Sequence, residues 1–378
     1  MGLKSRNMDV LKGKSSMSKP YALLSDLHFH NWNSFSTINE EGINSRLQII
    51  IDEVCRAKDE LILAGGDEMI LAGDIFHTRG SVSPEVINPV VRLFENITKD
   101  IKVYAIPGNH DLSSKDSTWL SNSASTLISA GVVMANEPNH HFINLVSTSV
   151  SPSSKKSHLL IPWQSSVEKL KEVLEYYRDI LSAHLEYTDV IIHAPVDGVI
   201  NGLPDHGLTD KYLADLGFNR VFSGHYHDHK DFGNGVYSIG ATTHQTWSDV
   251  DKKAGFLLVY PDRVKRFASH APSFVDIFGD MSEEELLVCD RNYVRVRIGK
   301  ATPLEINEVR EAMIERGALG VVIQAVKETS IEERDTEVEA KSVSLEESVA
   351  DYIAKAFGGS QTLNTLCTDI LARAEVTE

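Results

Sequence analysis

Cysteine is scarce. Only Cys55, Cys289 and Cys367 occur, far apart and without a CxxC spacing. That excludes a disulfide framework and a thiolate zinc site, and it points to a reducing compartment, so a cytoplasmic location is expected. Long apolar runs are missing too: none approaches the ~20 residues that span a bilayer. The amino end, Met1 to Lys19, is basic but lacks the apolar centre of a secretory signal. It reads as a disordered leader, with Met8 or Met17 as alternative starts. Basic residues are outnumbered, 37 Lys and Arg against 54 Asp and Glu, for a net charge of −17. Such a balance argues against a protein that coats nucleic acid by charge alone. The deficit is uneven, with −11 falling from Asp276 onward and only −6 before it. An acidic tail region fits either a protein partner or a solvated surface.

What the chain does have is apolar substance, 42% of 378 residues, enough for one large domain and a smaller one. Several short β-branched runs stop at a glycine or a polar residue, as buried strands of an α/β protein do. Tyr21–Ser25 is followed by Asp26 and His28, and Met69–Ala72 by Gly73-Asp74-Ile75-Phe76-His77. Ile101–Ile106 leads to Gly108-Asn109-His110-Asp111, Asp189–Ile192 to His193, and Arg220–Gly224 to His225 and His227. Ligand and catalytic groups of α/β sheets gather at such carboxyl ends. A second Gly-Asp pair, Gly66-Asp67, precedes its apolar run, so it reads as a turn.

In chain order, helices are expected from Ile43 through Val54, from Ser83-Pro84 onward, near Ser117 to Ser129, from Ser166 to about Glu186, and around Leu208–Leu216. Between Val132 and Ile161 the strand-like pieces are short, as in an edge of mixed or antiparallel sheet. Asn234-Gly235 signals a hairpin, and strands Phe256–Tyr260 and Val264–Ala268 close the domain near Pro272. A β-α-β module follows: strand Tyr293–Ile298, helix Pro303–Arg316 and strand Gly320–Val326. Glu328 to Ala340 is an acidic linker. Apolar stripes at Leu345–Phe357 and Leu363–Leu371 give a terminal helical hairpin. The expected domains are 20–272, a cap at 273–330 and a linker with helical tail at 331–378, behind the 1–19 leader. βα units followed by antiparallel strands suggest two packed sheets with helices outside.

The strand ends pool two carboxylates, one amide and four imidazoles, a donor set suited to Mn²⁺, Fe²⁺ or Zn²⁺. A dinuclear centre needs a bridge, and Asp74 is its natural candidate. Asp26, His28 and His227 then serve one ion, and Asn109, His193 and His225 the other. In an extended His225-Tyr226-His227 segment the two imidazoles would face the same way. His110, beside Asn109, is better placed to bind a phosphate oxygen or protonate a leaving alkoxide, with Asp111 holding its tautomer.

This arrangement resembles the calcineurin-like metallophosphoesterases, whose D-x-H, G-D, G-N-H-D, H and G-H-x-H motifs stand here as Asp26-Leu27-His28, Gly73-Asp74, Gly108–Asp111, His193 and Gly224–His227. Within them the SbcD-type nuclease subunits of DNA break repair are most similar. The likeness is carried by Gly73–His77, Ala105–Asp111, Tyr237–Thr242 and Lys252–Phe256. The resemblance implies a four-layer α-β-β-α sandwich with a smaller α/β cap and a C-terminal helical tail. It implies two Mn²⁺ ions (Fe²⁺ or Zn²⁺ as alternatives) and cleavage of DNA phosphodiesters in repair, recombination or replication. It implies an SbcC-like coiled-coil ATPase gripped by the terminal helices, and it leaves a homodimer open. It also places His77 near the substrate path, beside the plainer reading of a helix-entry histidine bonded to a carbonyl. His244 is read as a loop residue near the mouth, with phosphate contact as the alternative, and Arg295 and Arg297 as solvated charge that DNA backbone could meet. The competing functions are a phosphoesterase of small substrates and a non-catalytic, metal-stabilised scaffold.

Overall fold

The computed structural model describes residues 19–114, 122–143, 156–279 and 282–325, with positions 353, 363 and 365–367. The chain divides into a unit ending at Val326 and a second at Lys327–Glu378, whose five described positions are helical. The leader, the acidic linker and nearly all of the expected tail hairpin lie outside the described residues. Among the described residues, no helix is long and apolar enough to cross a membrane.

The first unit begins with β1 (Tyr21–Leu24), α1 (Ser45–Leu63), β2 (Glu68–Ala72), α2 (Pro84–Ile97) and β3 (Lys102–Ile106). Local chemistry starts each helix. The Asn44 side chain accepts from the N–H groups of Arg46 and Leu47, and α2 opens on a proline whose fixed φ suits a first turn. Then come β4 (Val133–Met134), β5 (Asn139–Ile143), β6 (Lys156–Ile161), α3 (Val167–Ile180), β7 (Thr188–His193), α4 (Asp210–Asp215) and β8 (Arg220–Gly224). The hairpin β9 (Lys230–Asp231) and β10 (Val236–Ser238) and the strands β11 (Gly255–Val259) and β12 (Val264–Ala268) complete the domain.

Two six-stranded sheets result, ordered β12-β11-β1-β2-β3-β4 and β5-β6-β7-β8-β10-β9. The expected edge between Val132 and Ile161 is therefore shared out: β4 is a parallel edge of the first sheet, and antiparallel β5 and β6 begin the second. The two-residue period of a strand builds the layers. Ala22, Leu24, Met69 and Leu71 pack against α1 and α2, while Tyr21, Leu23, Ile70 and Ala72 face the second sheet. On that second sheet Ile191 points inward, and Val190 and Ile192 meet Leu170 and Leu174 of α3 and Leu213 of α4. The order helix, sheet, sheet, helix follows, and with it the expected four layers. A buried carboxylate ties the two sheets together. The Asp189 carboxylate accepts from Tyr21 Oη at 2.8 Å and from both Arg220 Nε and Nη2 at 3.0 and 2.9 Å.

Two helices differ from expectation. The segment near Ser117 to Ser129 is a 3-10 helix at Ser123–Ala130 where it is described, because Thr126 and Ser129 hydroxyls donate to carbonyls three residues back. The Ser166 helix stops at Ile180, and a separate turn, Leu185–Tyr187, leads into β7.

The cap is an all-parallel sheet of β13 (Phe274–Phe278), β14 (Tyr293–Ile298) and β15 (Gly320–Ala325), with α5 (Pro303–Glu315) between the last two. A reciprocal capping box of Thr302 and Glu305 starts α5. Register sets Asp276 directly opposite Arg295, and Asp276 binds Arg295 at 2.5 and 2.8 Å and Arg297 at 3.0 Å. The two arginines are thus committed within the cap instead of standing as unpaired solvated charge.

Candidate metal centre

The carboxyl ends of β1, β2 and β3 in one sheet, and of β7 and β8 in the other, open onto one pocket. Beyond the strands the backbone keeps pairing: Asp26 N donates to Gly73 O, His28 N to Asp74 O and Phe29 N to Ile75 O. Asp26, His28, Asp74 and His225 all have left-handed φ, at 50°, 47°, 51° and 102°. Such strain in non-glycine residues is typical of side chains that must be aimed. The glycines of the motifs act in two ways. Gly73 takes φ 92°, the sharp turn expected of it, whereas Gly108 is needed for closeness, since a Cβ there would run into Asp74 Oδ1 and N.

All seven expected ligands converge. Asp26, His28 and His227 place one ligand atom each within 4.8 Å of one another, and so do Asp74, His193 and His225. Asp74 lies between the two sets, with Oδ2 3.6 Å from His28 Nε2 and Oδ1 3.4 Å from His193 Nε2. Asn109 Oδ1 is 3.2 Å from His193 Nε2 and 3.0 Å from His225 Nδ1. The split expected from the sequence has its geometric counterpart, but not for the expected reason. His225 is not extended, and its positive φ sends the two imidazoles of His225 and His227 to different neighbours.

Hydrogen bonds on the outer nitrogens hold the rings. His193 Nδ1–H donates to the Ala72 carbonyl at 2.8 Å, and His227 Nδ1–H donates to Asp249 Oδ1 at 2.7 Å. Each leaves Nε2 as a lone-pair donor inside the pocket. His28 turns Nε2 inward, 3.2 Å from His227 Nε2, and its Nδ1 meets His77 Nδ1 at 3.3 Å. Burial, then His30 and His110, push His77 down to about 4, so it meets His28 as a neutral ring. Among the described residues the His77 side chain is bonded to no carbonyl. It is bonded to His28 and stacked on His110, with ring centroids 5.4 Å apart.

Asp111 does not do what its sequence neighbour suggested. His110 Nδ1–H donates to the His77 carbonyl at 2.8 Å. The buried Asp111 carboxylate instead accepts from the N–H groups of Gly108, Phe76 and Ile75, at 2.8, 2.9 and 3.2 Å. It staples the loop after β2 to the loop after β3. His244 is likewise spoken for, its Nδ1 accepting from Phe274 N–H and its Nε2 donating to the Lys252 carbonyl. Asp67 follows a turn at Ala64-Gly65, directly before β2, and is bonded to Lys19. Asp249 was not foreseen, although Thr246-Trp247-Ser248-Asp249 carries a readable capping-box pattern. Trp163, whose ring lies 5.4 Å from His225 and 6.1 Å from His193, gave no sequence signal.

The electrostatics test whether cations belong here. Asp26 Oδ2 accepts from Ser25 Oγ and His225 N, while the buried Asp26 Oδ1 meets no donor among the described residues. An orphaned carboxylate oxygen in the middle of imidazole lone pairs fits a metal ligand. Burial would raise Asp74, but His193, His28 and His110 outweigh it and hold its carboxyl well below the usual range. Burial alone would lower His193 and His227. Instead Asp74 and Asp26 lift His193 to about 9, and Asp249 and Asp26 raise His227. Desolvation and the charge of His193 push His225 down to about 3, and burial lowers His28 as well. The buried carboxylates thus favour positive charge at His193 and His227, a demand that divalent ions would meet.

Similar solved structures include a dimetal phosphatase from Danio rerio (11% identity, TM-score 0.37, 66% of this chain and 99% of that one). A protein from Thermus thermophilus matches at 9% identity and TM-score 0.39, over 67% of this chain and 100% of that one. The Pseudomonas putida nuclease MPE matches at 16% identity and TM-score 0.28, over 65% and 87%. Likenesses this distant carry no functional weight. No curated protein matches the chain. The sequence model of the calcineurin-like phosphoesterases matches residues 19–229, more than half of the length and all five motifs, and the chain belongs to that family.

Proposed function

We propose that this phosphoesterase is a nuclease that cleaves DNA phosphodiesters with two divalent ions, Mn²⁺ being the expected metal. Asp26, His28 and His227 would hold one ion, Asn109, His193 and His225 the other, and Asp74 both. Bound there, the ions supply Lewis acidity toward a phosphoryl oxygen and a nucleophilic water at neutral pH. The observation that carries the reading is the convergence of these donors on Asp74 around the unpartnered Asp26 Oδ1.

The protein's own groups supply the rest. Because His110 Nδ1–H is committed to the His77 carbonyl, Nε2 is the nitrogen left to act. As an imidazolium it donates that proton to the leaving alkoxide and returns to the neutral Nδ1–H form. DNA as substrate is supported by the SbcD-like Gly73–His77 and Ala105–Asp111 stretches. An SbcC-like ATPase as partner, bound through residues 331–378, is part of the same proposal.

The test uses the purified full chain with Mn²⁺. It should degrade linear duplex DNA and hydrolyse a chromogenic phosphodiester, and Asp74→Ala should lose both activities together with both ions by elemental analysis. Deleting residues 342–378 should abolish ATPase binding while sparing the chromogenic reaction. Hydrolysis of phosphomonoesters or cyclic nucleotides with DNA untouched would establish the small-substrate reading instead. Metal binding without any hydrolysis would establish the scaffold.

A further inference from the structure

Asp249 lies outside every motif, yet the turn that ends on it ties the cap to His227. Its buried carboxylate divides its work. Oδ2 accepts from the N–H groups of Gln245 and Thr246, at 2.7 and 3.0 Å, closing the turn Trp247–Asp249. Oδ1 accepts from His227 Nδ1–H at 2.7 Å, and His227 Nε2 faces His28 Nε2 across the pocket. A carboxylate cannot donate, so this oxygen keeps the proton on Nδ1 and the lone pair on Nε2. The same turn carries Trp247, which the cap grips. The Phe274 ring of β13 lies 4.8 Å away, edge to face, and the Arg295 guanidinium of β14 sits 4.8 Å over the indole.

We propose that Asp249 is a positioning residue that fixes the His227 tautomer, and that the cap braces the turn on which it is carried. This rests on the two-ion reading above. It couples His227 to the cap, through contacts running from β13 and β14 to Trp247 and from the Trp247–Asp249 turn to the imidazole.

The decisive substitution is Asp249→Asn. If its carboxamide oxygen takes the place of Oδ2, the turn keeps both backbone bonds. The NH₂ group then stands against His227 Nδ1, which must become an acceptor, and the proton moves to Nε2, the nitrogen needed inside the pocket. In nitrogen-15 NMR of the metal-free protein, at a pH high enough for the ring to be neutral, His227 should carry its proton on Nδ1 in the natural chain and on Nε2 in the variant. Calorimetric titration with Mn²⁺ should show one of two sites weakened about 10–100-fold. Trp247→Ala should mix the two His227 tautomers and weaken the same site less.

A neutral His227 ring protonated on Nε2 instead of Nδ1 in the unsubstituted protein would overturn the proposal, and needs no variant to fold. Unchanged tautomer and affinity in Asp249→Asn would also overturn it, and an unaltered Trp247→Ala would remove the bracing role. If the natural chain takes up no divalent ion, the two-ion reading falls, and the tautomer measurement still judges Asp249 separately.

Discussion

Asp111→Asn separates two roles that one carboxylate could play. If Asp111 oriented His110, the amide would leave stability unchanged and depress turnover alone. The structure assigns it to three main-chain N–H groups instead, two on Oδ2 and one on Oδ1. All three contacts are donors, so a carboxamide can satisfy at most those on one oxygen and must set its NH₂ against the rest. At least one hydrogen bond to a charged group is lost, at ~1.5–3 kcal/mol, and a buried N–H is left unpaired. Burial and the nearby Asp74 charge push the Asp111 carboxyl up to about 7, which offsets part of what the bonds contribute. The lost bond and the unpaired N–H together cost up to ~6 kcal/mol and relief of the disfavoured charge returns about 4, so the net expectation is a loss of at most ~2 kcal/mol, or a few °C in Tm for a domain of this size. The staple joins the Asp74 loop to the Asn109 loop, so Mn²⁺ affinity should fall with stability. Thermal denaturation of the metal-free protein and calorimetric titration measure the two effects. An unchanged Tm with turnover reduced a hundredfold at saturating metal would refute the staple and restore the orienting role.

His110→Ala should leave both ions bound and reduce hydrolysis by about 10²–10⁴; loss of metal, read by elemental analysis, would contradict its place outside the ligand set. Gly224→Ala puts a methyl against Ser25 Oγ and the Ala72 carbonyl, the acceptor that holds His193. It should cost about 1–3 kcal/mol or more and weaken metal binding, whereas normal melting and affinity would show that the two sheets yield there. In the cap, the bond from Arg295, opposed by partial burial and aided by Arg297, lowers the Asp276 carboxyl below its ordinary value. A depressed carboxylate stabilises the fold above its unfolded value of about 4 and ceases to do so as pH falls further. Hydrogen exchange of the β13 and β14 amides should therefore speed up on acidification in the natural chain, and Asp276→Asn should flatten that response. Identical acid profiles would contradict it.

Much of this was legible because strands and their ends leave local marks. The run Met69–Ala72 is buried on both faces, so it is apolar throughout, and the glycine and carboxylate after it mark where the chain leaves the sheet. Five such endings, in one order, suffice to name the candidate donors and the family. What each donor leans on was not legible. Asp111 is adjacent to His110 in the chain, yet its partners are the amides of Ile75, Phe76 and Gly108, and His110 is held by a carbonyl 33 residues away. Residue type fixes which atoms can donate, accept or ligate, and those choices are written in the chain. Which hydrogen bonds they make depends on what two folded sheets and a cap bring within 3 Å, as with Asp249 and His227, and only the tertiary structure decides that.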